Sequence, residues 1–205
     1  MNEKEIQVYQ LDLDTLPVEA ALLSFDERER AARFRFESDR HRYMSCRAAL
    51  RQILAAELNI CPESLVFTYN PHGKPALGKN DSLYFNVAHS GTMALIALTY
   101  CAEIGVDIEA LRPELATAEV AATVFTEAER EQFVESEWVP QFFRLWTRKE
   151  AYLKAIGEGF ASPSLEIPSD YQIEELSVVD GYRAALAISG ATCCKVYVSW
   201  YPDRR

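Results

Sequence analysis

Long apolar runs are absent from this 205-residue sequence, and no run approaches the roughly 18 residues that a membrane-spanning helix needs. The first ten residues, MNEKEIQVYQ, are charged and then strand-like, so they lack the apolar centre of a secretory signal peptide. We therefore expect a cytoplasmic protein that has no membrane partner.

Cysteine and histidine are also scarce, and neither shows the spacing of a metal site. The cysteines form no C-x-x-C pair, and their number is odd; they stand at positions 46, 61, 101, 193 and 194. The histidines, at positions 41, 72 and 89, show no ligand spacing either. We expect buried, reduced thiols rather than a disulfide framework or a zinc site.

Basic residues are outnumbered, with 21 Lys and Arg against 31 Asp and Glu. The net charge of −10 argues against a nucleic-acid partner. One segment reverses this balance, because residues 26–51 contain eight arginines and five acids, a local charge of +3. These arginines could form ion pairs along a solvated helix, or they could form an anion site, since the planar guanidinium suits phosphate.

No low-complexity linker interrupts the chain, and both halves contain segments with helical and strand-like periodicity. We predict an α+β fold of two similar α/β lobes related by a pseudo-twofold axis, each with a small antiparallel-rich sheet packed on helices. The lobes would comprise residues 1–100 and 101–205, with the active site in the cleft between them. Thr126 and Glu129 match the S/T-x-x-E pattern of a capping box, so we predict a structural role for Glu129.

Two acids stand at alternate positions in the apolar, strand-like stretch G-V-D-I-E of residues 105–109. Alternate side chains of a strand lie on one face, so Asp107 and Glu109 would project together while Val106 and Ile108 enter the core. Adjacent carboxylates repel each other and need a proton or a cation, and Mg²⁺ prefers such oxygen ligands. The alternative is a strand end at which both acids are hydrated.

The segment FFRLWTRKEAYLKAIG has the periodicity of an amphipathic helix, yet its apolar stripe contains charges. Lys149 and Glu150 lie three and four residues after Trp146, where apolar side chains are expected. Buried charges are costly unless they are paired or bound to a metal. Lys154 follows Glu150 by four residues on the same face, so a structural Glu150–Lys154 ion pair is the alternative to a functional site.

Two further cationic candidates belong to short motifs. His89 ends the strand-like stretch NVAHSG, and Lys74 lies in the turn PHGKP. Each residue alone is typical of a structural or surface position. Together with the acids they indicate Mg²⁺-dependent phosphoryl chemistry. No G-x-x-x-x-G-K-[ST] or G-x-G-x-x-G motif is present, so neither a P-loop nor a Rossmann site is supported.

The order of these motifs resembles that of the 4′-phosphopantetheinyl transferases. HGKP and FNVAHSG are followed by GVDIE and, some forty residues later, by WTRKEAYLKAIGEG. The combination of G-V-D-I-E with W-x-x-K-E-x-x-x-K carries the resemblance, which spans roughly residues 22–165. The chain length resembles the two-lobed, surfactin-synthetase-activating type rather than the short, trimeric holo-acyl-carrier-protein synthase type, so we expect a monomer.

The resemblance implies an activity and site residues. Family members transfer 4′-phosphopantetheine from coenzyme A to a serine of an apo acyl or peptidyl carrier protein, leaving 3′,5′-ADP. By this resemblance, Asp107, Glu109 and Glu150 would hold Mg²⁺, or alternatively Mn²⁺. Glu150 would also be the base for the serine hydroxyl, and Lys154 would neutralise or protonate the leaving phosphate. The residues expected to bind the coenzyme A phosphates are Arg30, Arg42, Lys74 and His89.

Three residues depart from the family pattern near the expected coenzyme A site. Ala88 replaces a hydroxyl residue, Glu27 stands near a position where some members carry a lysine, and Tyr43 stands where some carry a small hydroxyl residue. The same residues also permit two other interpretations. One is a Mg²⁺-dependent hydrolase of nucleotide pyrophosphates with water as the nucleophile. The other is a non-catalytic pair of lobes in which these charges form structural ion pairs.

Overall fold

The computed structural model describes residues 5–78, 82–159, 166–190 and 194–202. The helices are α1 (Phe25–Ala31), α2 (Glu37–Leu58), α3 (Ala118–Val124), α4 (Glu127–Arg130) and α5 (Trp138–Ile156). The strands are β1 (Glu5–Asp12), β2 (Phe67–Tyr69), β3 (Pro75–Leu77), β4 (Tyr84–Ser90), β5 (Met93–Thr99), β6 (Ile104–Ala110), β7 (Tyr171–Glu175), β8 (Tyr182–Ser189) and β9 (Lys195–Trp200). Within these ranges, no helix is both long enough and apolar enough to cross a membrane.

Four strands form the larger sheet, in the order β4-β5-β1-β9. Strand β5 pairs antiparallel with β4 and β1, whereas β9 pairs parallel with β1. Strand β9 thus returns from the second half of the chain to the sheet of the first half. The division into lobes at residue 100 stays a prediction.

The smaller sheet is antiparallel, in the order β6-β8-β7, and β2 and β3 form a short antiparallel hairpin. Helix α5 covers β6 and β8, and α2 packs on the larger sheet. These observations confirm the α+β class and the small, antiparallel-rich sheets packed on helices.

Strand β5 explains the uninterrupted apolar stretch MALIALT, because every one of its residues is buried. One face, which includes Ile96 and Leu98, packs in the same apolar cluster as α2. The other face, which includes Leu95, packs with Val106 and Ile108 of β6. The predicted core positions of Val106 and Ile108 are therefore confirmed, and this second cluster joins the two sheets.

Helix α5 approaches β6 very closely at Gly105. A Cβ atom at this position would lie 2.0 Å from the carbonyl oxygen of Ala151 and 2.3 Å from the backbone nitrogen of Ala155. Because both neighbours are backbone atoms of a helix, they cannot move aside independently. The helix ends at Gly157, whose φ of 73° lies in the left-handed region that favours glycine.

The predicted capping box of α4 is confirmed. The Glu129 N–H donates to the Thr126 hydroxyl at 3.3 Å, and the Thr126 N–H donates to the Glu129 carboxylate at 2.8 Å. The same carboxylate lies 2.7 Å from the Lys149 ammonium, which also donates to the Val124 carbonyl at 3.1 Å. Lys149 is thus a buried structural cation that holds α3 and α4 against α5.

The described cysteines differ in exposure. Cys46 is buried, as expected, but Cys61 is exposed, so the expectation of burial is wrong for that residue. Cys101 and Cys194 are half-buried, with their sulfur atoms 2.8 Å apart. Cys193 lies outside the described residues.

Candidate active site

The candidate site is centred on Asp107, a charged residue in the middle of β6. Only 2% of its surface is exposed, and its Oδ1 accepts a hydrogen bond from the Lys154 ammonium at 2.5 Å. The two residues are 47 positions apart, and the close approach of α5 at Gly105 brings them together. Lys154 therefore pairs with Asp107, not with Glu150.

Burial raises the pKa of Asp107 to about 6, although the positive charge of Lys154 opposes this shift. The negative charges of Glu109 and Glu150 raise the pKa further. The second carboxylate oxygen, Oδ2, is buried without a hydrogen-bond partner among the described residues. A buried carboxylate oxygen without a donor is costly, so this position suits a cation or a proton from outside the protein.

Glu109 lies two residues after Asp107 on β6, and a side chain from the first half of the chain fixes its orientation. The Ser90 hydroxyl, at the end of β4, donates to Glu109 Oε2 at 2.6 Å and accepts the Ala110 N–H at 3.2 Å. Arg112 makes a longer ion pair with the same oxygen, at 3.3 Å. No role for Ser90 was predicted from the sequence, although its position directly after His89 was an available signal.

Glu150 joins the site from α5, one turn before Lys154. Its side chain is half-buried, and burial raises its pKa. The charge of Lys154 opposes this shift, and the charge of Glu109 adds to it. Glu109 and Glu150 thus act on the ionisation of Asp107, and Glu109 also acts on that of Glu150, so the structure brings all three predicted metal ligands into one electrostatic neighbourhood with Lys154.

Does this site suit Mg²⁺? In the part of the chain that the structure describes, no three Asp, Glu, His or Cys side chains are already arranged to hold a metal ion. Mg²⁺, however, is usually bound by one or two carboxylates together with waters and substrate phosphates, not by a complete protein cage. The oxygen-only donors and the unpartnered Oδ2 of Asp107 fit that mode of binding.

A cationic pocket with a cavity volume of about 570 Å³ lies between α1, α2 and the end of β4. It is lined by three of the four residues predicted to bind coenzyme A: Arg30, Arg42 and His89. Asp14 orients Arg42 by accepting two hydrogen bonds from its guanidinium, at 2.6 and 3.0 Å. The Arg30 guanidinium carbon lies 5.5 Å from the centre of the Tyr43 ring.

His89 connects the cationic pocket to the acids. Although its side chain is exposed on the pocket side, the surrounding protein atoms lower its pKa by desolvation. The charge of Lys154 lowers the pKa further, and Glu109 acts in the opposite direction. The imidazole is therefore neutral at physiological pH and can offer one N–H and one acceptor nitrogen to a ligand.

Lys74, the fourth residue predicted to bind coenzyme A, is engaged elsewhere. Its ammonium contacts the Glu103 carboxylate at 2.7 Å and donates to the Ala155 carbonyl at 2.8 Å. The adjacent Gly73 and Pro75 line the cationic pocket, but Lys74 does not. Its side chain ties the β2–β3 turn to the C-terminus of α5, and its contact with coenzyme A stays a prediction.

The arginines of residues 26–51 differ in their structural roles. Arg40 forms an exposed i,i+3 ion pair with Glu37, as on a solvated helix. Arg47 and Arg51 instead each donate to the carboxylate of Glu27 at 2.7 Å. Glu27 is only 1% exposed, so this network fixes α1 on α2 beside the cationic pocket. This network was not predicted from the sequence, because nothing in the local pattern indicates which arginines are buried.

Comparison with known proteins identifies the family. A family model for the 4′-phosphopantetheinyl transferase superfamily matches residues 103–192, and a model described as 4′-phosphopantetheinyl transferase, N-terminal, matches residues 13–100. The 4′-phosphopantetheinyl transferase HetI of Nostoc sp. is 35% identical over 209 residues, covering 91% of this chain and 88% of HetI.

Two other relatives agree with these matches. A protein of Synechocystis sp., slr0495, is 38% identical over 164 residues, covering 78% of this chain and 67% of its own length. The 4′-phosphopantetheinyl transferase Sfp of Bacillus subtilis is 25% identical over 186 residues, covering 81% of this chain and 82% of Sfp. The chain therefore belongs to the 4′-phosphopantetheinyl transferase superfamily, and to its two-lobed, surfactin-synthetase-activating type.

Proposed function

We propose that this chain transfers the 4′-phosphopantetheine group of coenzyme A to a serine of an apo acyl or peptidyl carrier protein, with Mg²⁺ held by Asp107, Glu109 and Glu150. Asp107 carries the proposal, because its buried carboxylate has a raised pKa and one oxygen without a partner among the described residues. Such a group is suited to a divalent cation whose remaining ligands come from a pyrophosphate and water.

The bound metal would supply Lewis-acid stabilisation of the charge that develops on the pyrophosphate oxygens. Mn²⁺ accepts similar oxygen ligands and is the alternative ion. Ser90 supports the site by holding Glu109 Oε2 through a 2.6 Å hydrogen bond, which fixes the orientation of that carboxylate.

The cationic pocket would bind the phosphorylated nucleotide end of coenzyme A. Arg30 and Arg42 present planar guanidinium groups that suit phosphate oxygens, and the orientation of Arg42 is set by Asp14. Neutral His89 adds a hydrogen-bonding group on the side of the pocket nearest the acids. The pocket would thus position the nucleotide end of coenzyme A, and the acids would position its pyrophosphate.

Glu150 would act as the base for the carrier serine. The serine oxygen forms a new bond to the phosphorus that carries pantetheine, while the bridging P–O bond of the pyrophosphate breaks. The hydroxyl proton passes to Glu150, directly or through water, and the bonding electron pair leaves with 3′,5′-ADP. Burial raises the pKa of Glu150, which favours the acceptance of a proton by this carboxylate.

Lys154 would stabilise the leaving phosphate. Its ammonium lies beside Asp107, 2.5 Å from Oδ1, so it is held at the acids instead of extending into solvent. A fixed ammonium at this place favours the charge that develops on the leaving oxygen and can supply it with a proton.

We also propose that the enzyme is a cytoplasmic monomer that uses neither nucleic acid nor a membrane. The net charge of −10 supports the absence of a nucleic-acid partner. Light scattering on the purified chain would measure the oligomeric state, and a dimer or trimer would contradict this part of the proposal.

The reaction is tested by incubating the chain with coenzyme A, Mg²⁺ and an apo carrier protein. We expect the intact mass of the carrier to increase by one phosphopantetheine, with one 3′,5′-ADP released for each carrier modified. Release of 3′,5′-ADP without carrier modification would support the hydrolase instead. Absence of both turnover and coenzyme A binding would support the non-catalytic pair of lobes. A panel of apo carriers would identify the partner.

A further inference from the structure

We propose that Asn70 is a positioning residue: its amide binds the C-terminus of α5 to the β2–β3 turn and so couples the cationic pocket to the helix that carries Glu150 and Lys154. The inference rests on the catalytic roles proposed above for those two residues. Neither the sequence motifs nor the matches to known proteins assign a role to Asn70.

Both the oxygen and the nitrogen of the Asn70 side-chain amide form hydrogen bonds. Its Oδ1 accepts the backbone N–H groups of His72, at 3.0 Å, and of Lys74, at 2.9 Å. Its Nδ2 donates to the carbonyl of Gly157, at 2.7 Å, across 87 positions of chain. The acceptor end therefore shapes the turn, whereas the donor end binds α5.

The C-terminus of α5 needs such donors. The last carbonyl groups of an α-helix have no partner within the helix, so side chains or water must satisfy them. Asn70 donates to the carbonyl of Gly157, and Lys74 donates to the carbonyl of Ala155. The contact is tight, because a Cβ atom at Gly157 would lie 2.7 Å from the Asn70 amide nitrogen.

The same turn also forms part of the cationic pocket. Tyr69, Gly73 and Pro75, which surround Asn70 in the β2–β3 hairpin, line the pocket. Asn70 and Lys74 thus form a clamp between this turn and the C-terminus of α5. Helix α5 carries Glu150 and Lys154 within its last two turns. The clamp formed by Asn70 and Lys74 therefore connects the surface that would bind coenzyme A to the helix that would act on its pyrophosphate.

This arrangement predicts that loosening the clamp affects turnover more than binding. The pocket arginines belong to α1 and α2, and the acceptor end of Asn70 shapes the turn separately, so we expect a change at the donor end alone to alter the affinity for coenzyme A little. A shift of α5, in contrast, would move Glu150 and Lys154 relative to the reacting phosphate. Misplacement of reacting groups by about 1 Å can cost about a hundredfold in rate.

Asn70→Asp tests the donor end alone. Aspartate keeps an oxygen for the two turn N–H groups but replaces the donor with an oxygen that repels the Gly157 carbonyl. We expect kcat to fall about tenfold or more, while KM for coenzyme A stays within about threefold of the wild-type value. Hydrogen exchange should increase at the C-terminus of α5 and remain unchanged in α2.

Asn59→Asp is the matched control, since Asn59 is the exposed C-cap residue of α2 and the change is chemically the same. It should retain wild-type kcat even if both variants lose similar thermal stability. An equal fall in kcat in both variants, or wild-type kcat and α5 exchange in Asn70→Asp, would overturn the proposal. Absence of transfer by the wild-type chain would instead contradict the proposed function.

Discussion

Replacing Asp107 with asparagine should stabilise the metal-free protein, which is unusual for a buried polar residue in the centre of a strand. The reason is the pKa of Asp107, which burial raises from an ordinary value of 3.8 to about 6. In the folded state the carboxyl group therefore holds its proton more tightly than in the unfolded chain. Ionisation at neutral pH costs stability, even with Lys154 beside the carboxylate.

The sign and size of the effect follow from this difference. As pH rises from about 4 to about 6, the unfolded chain loses the Asp107 proton before the folded chain does, so the wild-type protein loses stability. The shift of about 2 units corresponds to about 3 kcal/mol once both states are ionised. Asparagine has the shape of the neutral carboxyl group and does not ionise, so the variant avoids this loss.

The assay is urea unfolding in the presence of a chelator at pH 8 and again near pH 4. We expect Asp107→Asn to be more stable than wild type by up to about 3 kcal/mol at pH 8, with the difference vanishing near pH 4. Asp180→Asn makes the same chemical change at an exposed residue and should show no such pH dependence. If Asp107→Asn were as stable as wild type, or less stable, at pH 8, the account of this carboxylate would be refuted.

Three further substitutions test the structural arguments. Glu27→Gln should lower the free energy of unfolding by about 3–5 kcal/mol in urea titrations, because it leaves two arginines without their counter-charge. An effect below about 1 kcal/mol, roughly that of a surface ion pair, would contradict the buried network. Gly105→Ala should prevent folding or expose the apolar core, as seen by circular dichroism, because its Cβ would lie 2.0 Å from the Ala151 carbonyl oxygen. A native spectrum and melting temperature would show that α5 can move aside. Ser90→Ala should weaken Mg²⁺ binding in the presence of coenzyme A by about tenfold in calorimetry, because it releases Glu109, whereas Ser90→Thr should bind as the wild type does.

Local patterns in the sequence predicted the features that depend on neighbouring residues. The alternation in G-V-D-I-E correctly placed Val106 and Ile108 in the core, and the S/T-x-x-E pattern correctly identified the cap formed by Thr126 and Glu129. Each of these depends on strand or helix geometry over a few residues. The same reasoning could indicate that a charge on the apolar stripe of α5 needs a partner, but it could not name that partner.

The sequence patterns did not predict the contacts between distant segments. Glu150, four residues before Lys154, was the partner that local spacing offered, yet the partner of Lys154 is Asp107, because Gly105 allows α5 to pack directly on β6. Lys74 alone was typical of a surface lysine in a turn, but its ammonium is bound to the C-terminus of α5. Both outcomes depend on how helices dock on sheets, which the spacing of residues within one segment does not determine.

Our main proposal is that Asp107 serves the reaction and not the fold. It is tested most directly by measuring the intact mass of an apo carrier protein after incubation with coenzyme A, Mg²⁺ and either Asp107→Asn or Asp180→Asn. We expect Asp180→Asn to modify the carrier at the wild-type rate, while Asp107→Asn, although folded and at least as stable, should produce no holo-carrier. Carrier modification by Asp107→Asn at a rate near that of the wild type would show that the reaction does not need the Asp107 carboxylate.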